Sequence, residues 1–80
     1  MALRDTARQH AIEVGDRVYF ENDKNDTGTV VEVWYGQPRD YPGGYHDRWR
    51  ALVQWDRNSR TGEEPGELSE NGQFALRPCK

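Results

Sequence analysis

The chain is short of cysteine, histidine, basic surplus and long apolar runs, and each shortage closes off a class of function. Its one cysteine, Cys79, stands next to the last residue. A single thiol cannot close an internal disulfide, so a passive thiol in a reducing compartment is expected. Two histidines, His10 and His46, together with that cysteine do not supply the closely spaced ligands of a metal site. No segment approaches the ~18 consecutive apolar residues of a membrane span. Residues 1–13 carry Arg4, Asp5, Arg8 and Glu13, without the apolar stretch of a secretion signal. The expectation is a cytoplasmic, soluble protein with no cofactor, no metal and no membrane partner. Basic surplus is missing too: 14 acidic against 11 basic residues give a formal charge of −3. That is the wrong sign for a protein that coats DNA by releasing phosphate counterions.

Apolar residues are only 34% of 80, against 31% charged, so the chain affords one domain with one small core. Three Trp, four Tyr and two Phe make that core feasible, because each buried ring removes a large apolar area from water. Three short runs carry the β pattern. Val14-Gly15-Asp16 reads as a turn into a strand over 17–21, with Val18 and Phe20 on one face and Arg17 and Tyr19 on the other. A polar loop is expected over 22–26. A second strand runs from Gly28 to about residue 35, where Val30, Val31 and Val33 break strict alternation and predict a bulge or a strong coil. Gly28 marks a place where the backbone bends or another strand comes close. A third strand covers 49–55, with Trp49, Ala51, Val53 and Trp55 sharing a face.

Between the second and third strands lies the longest irregular stretch, 36–48, punctuated by Pro38, Pro42 and Gly43-Gly44. After a polar connection over 56–62, a weak fourth strand is expected near 67–69, a turn over 70–72 and a closing strand over 74–77, stopped by Pro78. Residues 1–13 read as a flexible tail or one to two helical turns capped by Asp5 or Thr6, and 14–78 as the domain.

Three segments, Gly15-Asp16-Arg17-Val18, Gly28-Thr29-Val30-Val31-Glu32-Val33 and Leu52-Val53-Gln54-Trp55-Asp56, together resemble the small SH3-like barrels. These include KOW and Tudor-type modules and the electron-transport accessory barrels, among them the small photosystem I accessory subunit. The run Leu68-Ser69-Glu70-Asn71-Gly72-Gln73-Phe74-Ala75-Leu76 is similar to the exit of the last of these. The resemblance spans about residues 14–78. It implies an all-β fold, an SH3-like partly open barrel of about five antiparallel strands with one long loop between strands two and three. That barrel hosts many unrelated activities, so it implies no single function. Plasmid-type trimethoprim-resistant dihydrofolate reductases also share the Gly-Asp-Arg-Val start and the Trp-Tyr end of strand two. Where they carry a Val-Gln-Ile-Tyr motif, this chain has Gly66-Glu67-Leu68-Ser69. KOW modules carry a basic loop where this chain reads Asn22-Asp23-Lys24-Asn25-Asp26.

Residues fit for chemistry are few. His46-Asp47 is the one adjacent acid–base pair, and no Ser or Cys stands in a nucleophile setting, so no enzyme is expected. Between residues 39 and 60, five arginines (39, 48, 50, 57, 60) face three aspartates (40, 47, 56), a local net of +2. Tyr41, Tyr45, Trp49 and Trp55 are interleaved with them. Trp55 and Trp49 have a core role open to them. The tyrosines stand on a Gly/Pro-rich loop with little core to join. The candidate binding set is therefore Trp34, Arg39, Tyr41, Tyr45, Arg48 and Arg50. Arginine with aromatic faces suits a protein hot spot and equally single-stranded nucleic acid. The leading expectation is a non-catalytic module for protein–protein interaction; single-stranded nucleic-acid binding is the alternative, and a small oligomeric enzyme related to the plasmid-type reductases comes third. Glu63, Glu64, Glu67 and Glu70 form an acidic patch. It serves solubility or, against the arginines of a second copy, homo-oligomer formation.

Overall fold

The computed structural model describes residues 12–40 and 43–79. Residues 1–11 of the tail expected over 1–13, and the candidate Tyr41, lie outside the described residues. Five strands follow in chain order: β1 Arg17–Phe20, β2 Asp23–Gly36, β3 Arg48–Trp55, β4 Leu68–Gly72 and, after a 3-10 turn at Gln73–Ala75, β5 Leu76–Pro78. All pairings are antiparallel, and the strands form one sheet in the order β4-β3-β2-β1-β5. The all-β class is as expected, with no α-helix among the described residues and no helix long and apolar enough to cross a membrane.

β2 is the spine, 14 residues long, pairing with β1 through its first half and with β3 through its second. The expected bulge is there. Val30 pairs with Val53, the next pair is Glu32 with Leu52, and Val31 has no partner. One inserted residue lets Val30 and Val33 serve the same core although they are three apart, which plain alternation forbids. Where β1, β2 and β3 meet, Gly28 pairs with both Val18 and Trp55. A Cβ there would stand 2.7 Å from the Gln54 carbonyl oxygen and 2.7 Å from Val53 Cγ1, so this close approach needs glycine.

Ile12, Val18, Val30, Ala51, Val53, Trp55 and Leu76 make the buried core, with Phe20 and Val33 packed against it. Trp55 takes the core role and fixes its ring by donating from Nε1 to Ser69 Oγ at 2.8 Å. A buried polar side chain, Gln73, joins them, donating from Nε2 to the Arg50 carbonyl at 3.2 Å.

Three expectations are corrected. The loop expected over 22–26 is mostly strand: β2 begins at Asp23, and the chain reverses at Glu21 and Asn22, with a register shift between Tyr19 and Phe20 absorbing the extra residues. Polar composition misleads here because an exposed hairpin needs no apolar face. The turn expected over 70–72 belongs to β4, held by pairing of Glu70, Asn71 and Gly72 with Leu52, Ala51 and Arg50. The closing strand expected over 74–77 is a 3-10 turn followed by β5, whose pairing with β1 runs from Leu76 to Pro78.

Candidate functional site

Strand alternation sorts the candidate residues onto the face of the sheet opposite the core. Pairing across β2, β3 and β4 sets them in rows: Glu32, Leu52 and Glu70 in one, Trp34, Arg50 and Gly72 in the next, then Gly36 and Arg48. Side chains two apart on one strand share a face, so Glu32 and Trp34 stand side by side, as do Arg48, Arg50 and Leu52. Gly72 leaves a gap in its row, and the Phe74 ring of the 3-10 turn fills it; a Cβ on Gly72 would collide with that ring. The Arg48 guanidinium lies over the same ring, 5.0 Å from its centre.

The 37–47 loop is tied back rather than left free. Gln37 is its organiser, accepting from the amides of Gly43 and Tyr45 at 3.2 Å each and donating to Asp47 Oδ1 at 2.7 Å. Gly43 and Gly44 take left-handed backbone, φ 93° and 81°, to bring those amides round. Arg50 clasps both ends of the loop, donating from Nε to the Gly36 carbonyl at 2.7 Å and from Nη2 to the His46 carbonyl at 2.9 Å. Trp34 Nε1 donates to the Gln37 carbonyl at 2.9 Å. Arg39 closes the strap: its guanidinium lies 4.0 Å from the centre of the Trp34 ring and pairs with Glu32, and its backbone amide donates to Glu70 Oε1 at 2.8 Å.

Of the candidate set, Trp34, Arg39, Arg48 and Arg50 are thus brought onto one face, and Tyr45 caps the loop beside it with 56% of its surface exposed. Tyr35, unremarked in the sequence, is 54% exposed and meets Trp49 edge to face, ring centres 5.6 Å apart. Glu32, Gln37 and Phe74 were equally unmarked, and Glu70, read as part of an acidic patch, instead accepts from the Arg39 amide of its own chain. Period-2 alternation from Trp34 points to Glu32; no local signal singles out Gln37 or Phe74. His46 and Asp47 both serve the loop, His46 through its carbonyl and Asp47 through its carboxylate.

The local surplus of +2 does not survive folding. Arg57, Arg60 and Asp56 follow β3 at its far end, ~23 Å from Arg48 at 3.3 Å per strand residue. Around the loop the count becomes Arg39, Arg48 and Arg50 against Glu32, Asp40, Asp47 and Glu70.

That far end holds a second polar cluster. Arg17 reaches Asp56 through both guanidinium nitrogens, with Nη1 at 2.8 Å from Oδ1, and Nη1 also donates to Thr29 Oγ1 at 2.9 Å. Thr27 Oγ1 donates to Asp56 Oδ2 at 2.7 Å. The Arg17 hydrogen bonds hold the Asp56 carboxyl down to about 2. Nearby Asp26 is pushed up, first by burial and then by the charges of Asp23, Glu67 and Asp56. An open cleft of about 670 Å³ lies beside the cluster, lined by Thr29, Gln54, Trp55, Asp56, Arg57, Glu64 and Pro65. Its charged groups are internally paired, Asp56 with Arg17 and Glu64 with Arg57. Among the described residues no group of three or more His, Cys, Asp or Glu is placed to hold a metal ion.

Compared with protein-family models, with curated proteins and with solved structures, the chain matches none.

Proposed function

We propose that this chain is a non-catalytic binding module that engages a protein partner through the 36–48 loop and the neighbouring arginine and aromatic residues at that end of the β2–β3 hairpin. One observation carries the reading: Tyr35 and Tyr45 are each more than half exposed at the end of the hairpin where the backbone is most heavily tied down. Large rings held on a fixed frame lose little conformational freedom on binding, which is what a protein hot spot requires. The curled, SH3-like barrel reading draws support from the same features, a bulged 14-residue β2 shared between two halves of the sheet.

The nucleic-acid alternative is disfavoured by charge. Four carboxylates against three arginines surround the loop, and Arg39 already has a carboxylate partner; a phosphate backbone needs unpaired cations. The test is a selection of random peptides displayed on phage against the folded protein. Enriched peptides lose about tenfold or more in affinity for the double variant Tyr35→Ala/Tyr45→Ala, a loss usual for hot-spot residues, while circular dichroism stays unchanged. Peptides that bind both proteins equally sink the proposal. So does a single-stranded oligonucleotide that binds with affinity falling steeply as salt rises, in the absence of any enriched peptide.

A further inference from the structure

Resting on that reading, we infer that the Trp34 end of the face is a recognition site for an unmodified arginine residue of the partner, kept filled in the free protein by Arg39. The internal occupant defines the ligand. Trp34 offers its ring to the guanidinium at 4.0 Å, Glu32 accepts from Nη1, and Glu70 Oε1 accepts from the backbone amide of the same residue at 2.8 Å. The three groups come from fixed places: Glu32 and Trp34 two apart on β2, Glu70 two strands away on β4, with Leu52 between the carboxylates.

Such a site reads three features of one residue: a flat cation, N–H donors at its tip, and a free main-chain N–H. Only arginine within a peptide carries all three, because lysine lacks the planar face and a free guanidinium ion lacks the amide. Two carboxylates on a row otherwise filled by one leucine also supply the opposite charge. Methyl groups on the guanidinium remove the donors that Glu32 uses, so the site discriminates against methylated arginine. Arg50, next to Trp34 across the ladder, directs its donors to the loop carbonyls of Gly36 and His46 and leaves the ring face to Arg39.

Arg39 is tethered a few residues from Trp34, so its local concentration is in the millimolar range or above. A partner displaces it only when the loop, through Tyr45, adds further contact. Removing Arg39 therefore exposes the site to a minimal probe. The probe is the blocked peptide Gly-Gly-Arg-Gly-Gly, titrated into nitrogen-15-labelled protein while following the Trp34 indole N–H; the Trp55 indole N–H, bonded to Ser69, reports on the fold.

Arg39→Ala is expected to bind the probe at least about tenfold more tightly than the unaltered chain, as release from a tethered competitor dictates. The same peptide with citrulline or dimethylarginine binds more weakly, and Glu32→Gln with Glu70→Gln in the Arg39→Ala background abolishes the gain. Equal binding to both proteins, equal binding of citrulline, or tighter binding of dimethylarginine overturns the inference. If Arg39→Ala loses the Trp55 signal, Arg39→Gln is scored by the same outcomes. The probe touches only the Trp34 end, whereas the phage selection is read at Tyr35 and Tyr45, so failure of one leaves the other standing.

Discussion

At the Gly28 end of the β2–β3 hairpin a tryptophan is drawn into the core while an arginine and an aspartate pair at the surface; at the Gly36 end, similar residues leave rings in water. Trp55 is 5% exposed, and Arg17 on β1 pairs with Asp56 just after β3. At the other end Arg39 and Arg50 are just as fully bonded, yet Tyr35 and Tyr45 stay more than half exposed. With so few apolar residues in the chain, rings kept from the core are material withheld from stability. The contrast separates two uses of arginine: tying β1 to the end of β3, and holding a surface loop in one shape.

The largest effect that tests this contrast is truncation at each end. Trp55→Ala should cost about 3–5 kcal/mol, the range for emptying a tryptophan site in a core, and in so small a domain that leaves little native protein at 37 °C. Tyr45→Ala should change stability by less than about 0.5 kcal/mol, as exposed positions do. Urea titration of both variants decides; comparable losses would dissolve the distinction between the ends. Next in size, Gly28→Ala forces a Cβ to within 2.7 Å of the Gln54 carbonyl, and the strands must part. A loss of about 2–3 kcal/mol is expected from such overpacking; the same change at half-buried Gly66 meets the Arg57 backbone, and at half-buried Gly72 the Phe74 ring, which can move.

A smaller effect concerns Asp56. Its carboxyl titrates at about 2 in the folded protein, against an ordinary 3.8. A depressed folded value means stability that is fully present above about pH 4 and is lost as pH falls towards 2. Because both partners are substantially exposed, the contribution is about 1 kcal/mol or less. Asp56→Asn should therefore lower the melting temperature at pH 7 and flatten its fall between pH 4 and 2. Asp26 carries the opposite sign: its raised value means that ionisation opposes folding, so Asp26→Asn should stabilise slightly at neutral pH. The smallest effect is local. Gln37→Ala should leave global stability within about 0.5 kcal/mol, yet speed hydrogen exchange at the Gly43 and Tyr45 amides, which it binds, by about tenfold. Unchanged exchange would show that the loop holds its shape without Gln37.

The valine-rich parts of β1, β2 and β3 and the bulge were legible because they follow from short-range pattern, whereas the polar start of β2, the end of β4 and the 3-10 turn were not. Val30, Val31 and Val33 cannot share a face without an inserted residue, and Gly28 stands where two strands approach. Of the candidate residues, Trp34, Arg39, Arg48 and Arg50 lie together on one face. That Glu32, Glu70 and Phe74 are their neighbours was not legible, since adjacency across three strands depends on register and not on distance along the chain.

By itself, the order of residues determined an all-β chain with one small core, one bulged spine and a long Gly/Pro loop, because apolar alternation and glycine placement act over a few residues. Only the tertiary structure decided the charge and freedom of that loop. Pairing of β2, β3 and β4 brought Glu32 and Glu70 to Arg39 and carried Arg57 and Arg60 to the far end. A basic stretch on paper became a nearly balanced, strapped surface because Coulomb interactions depend on separation in space.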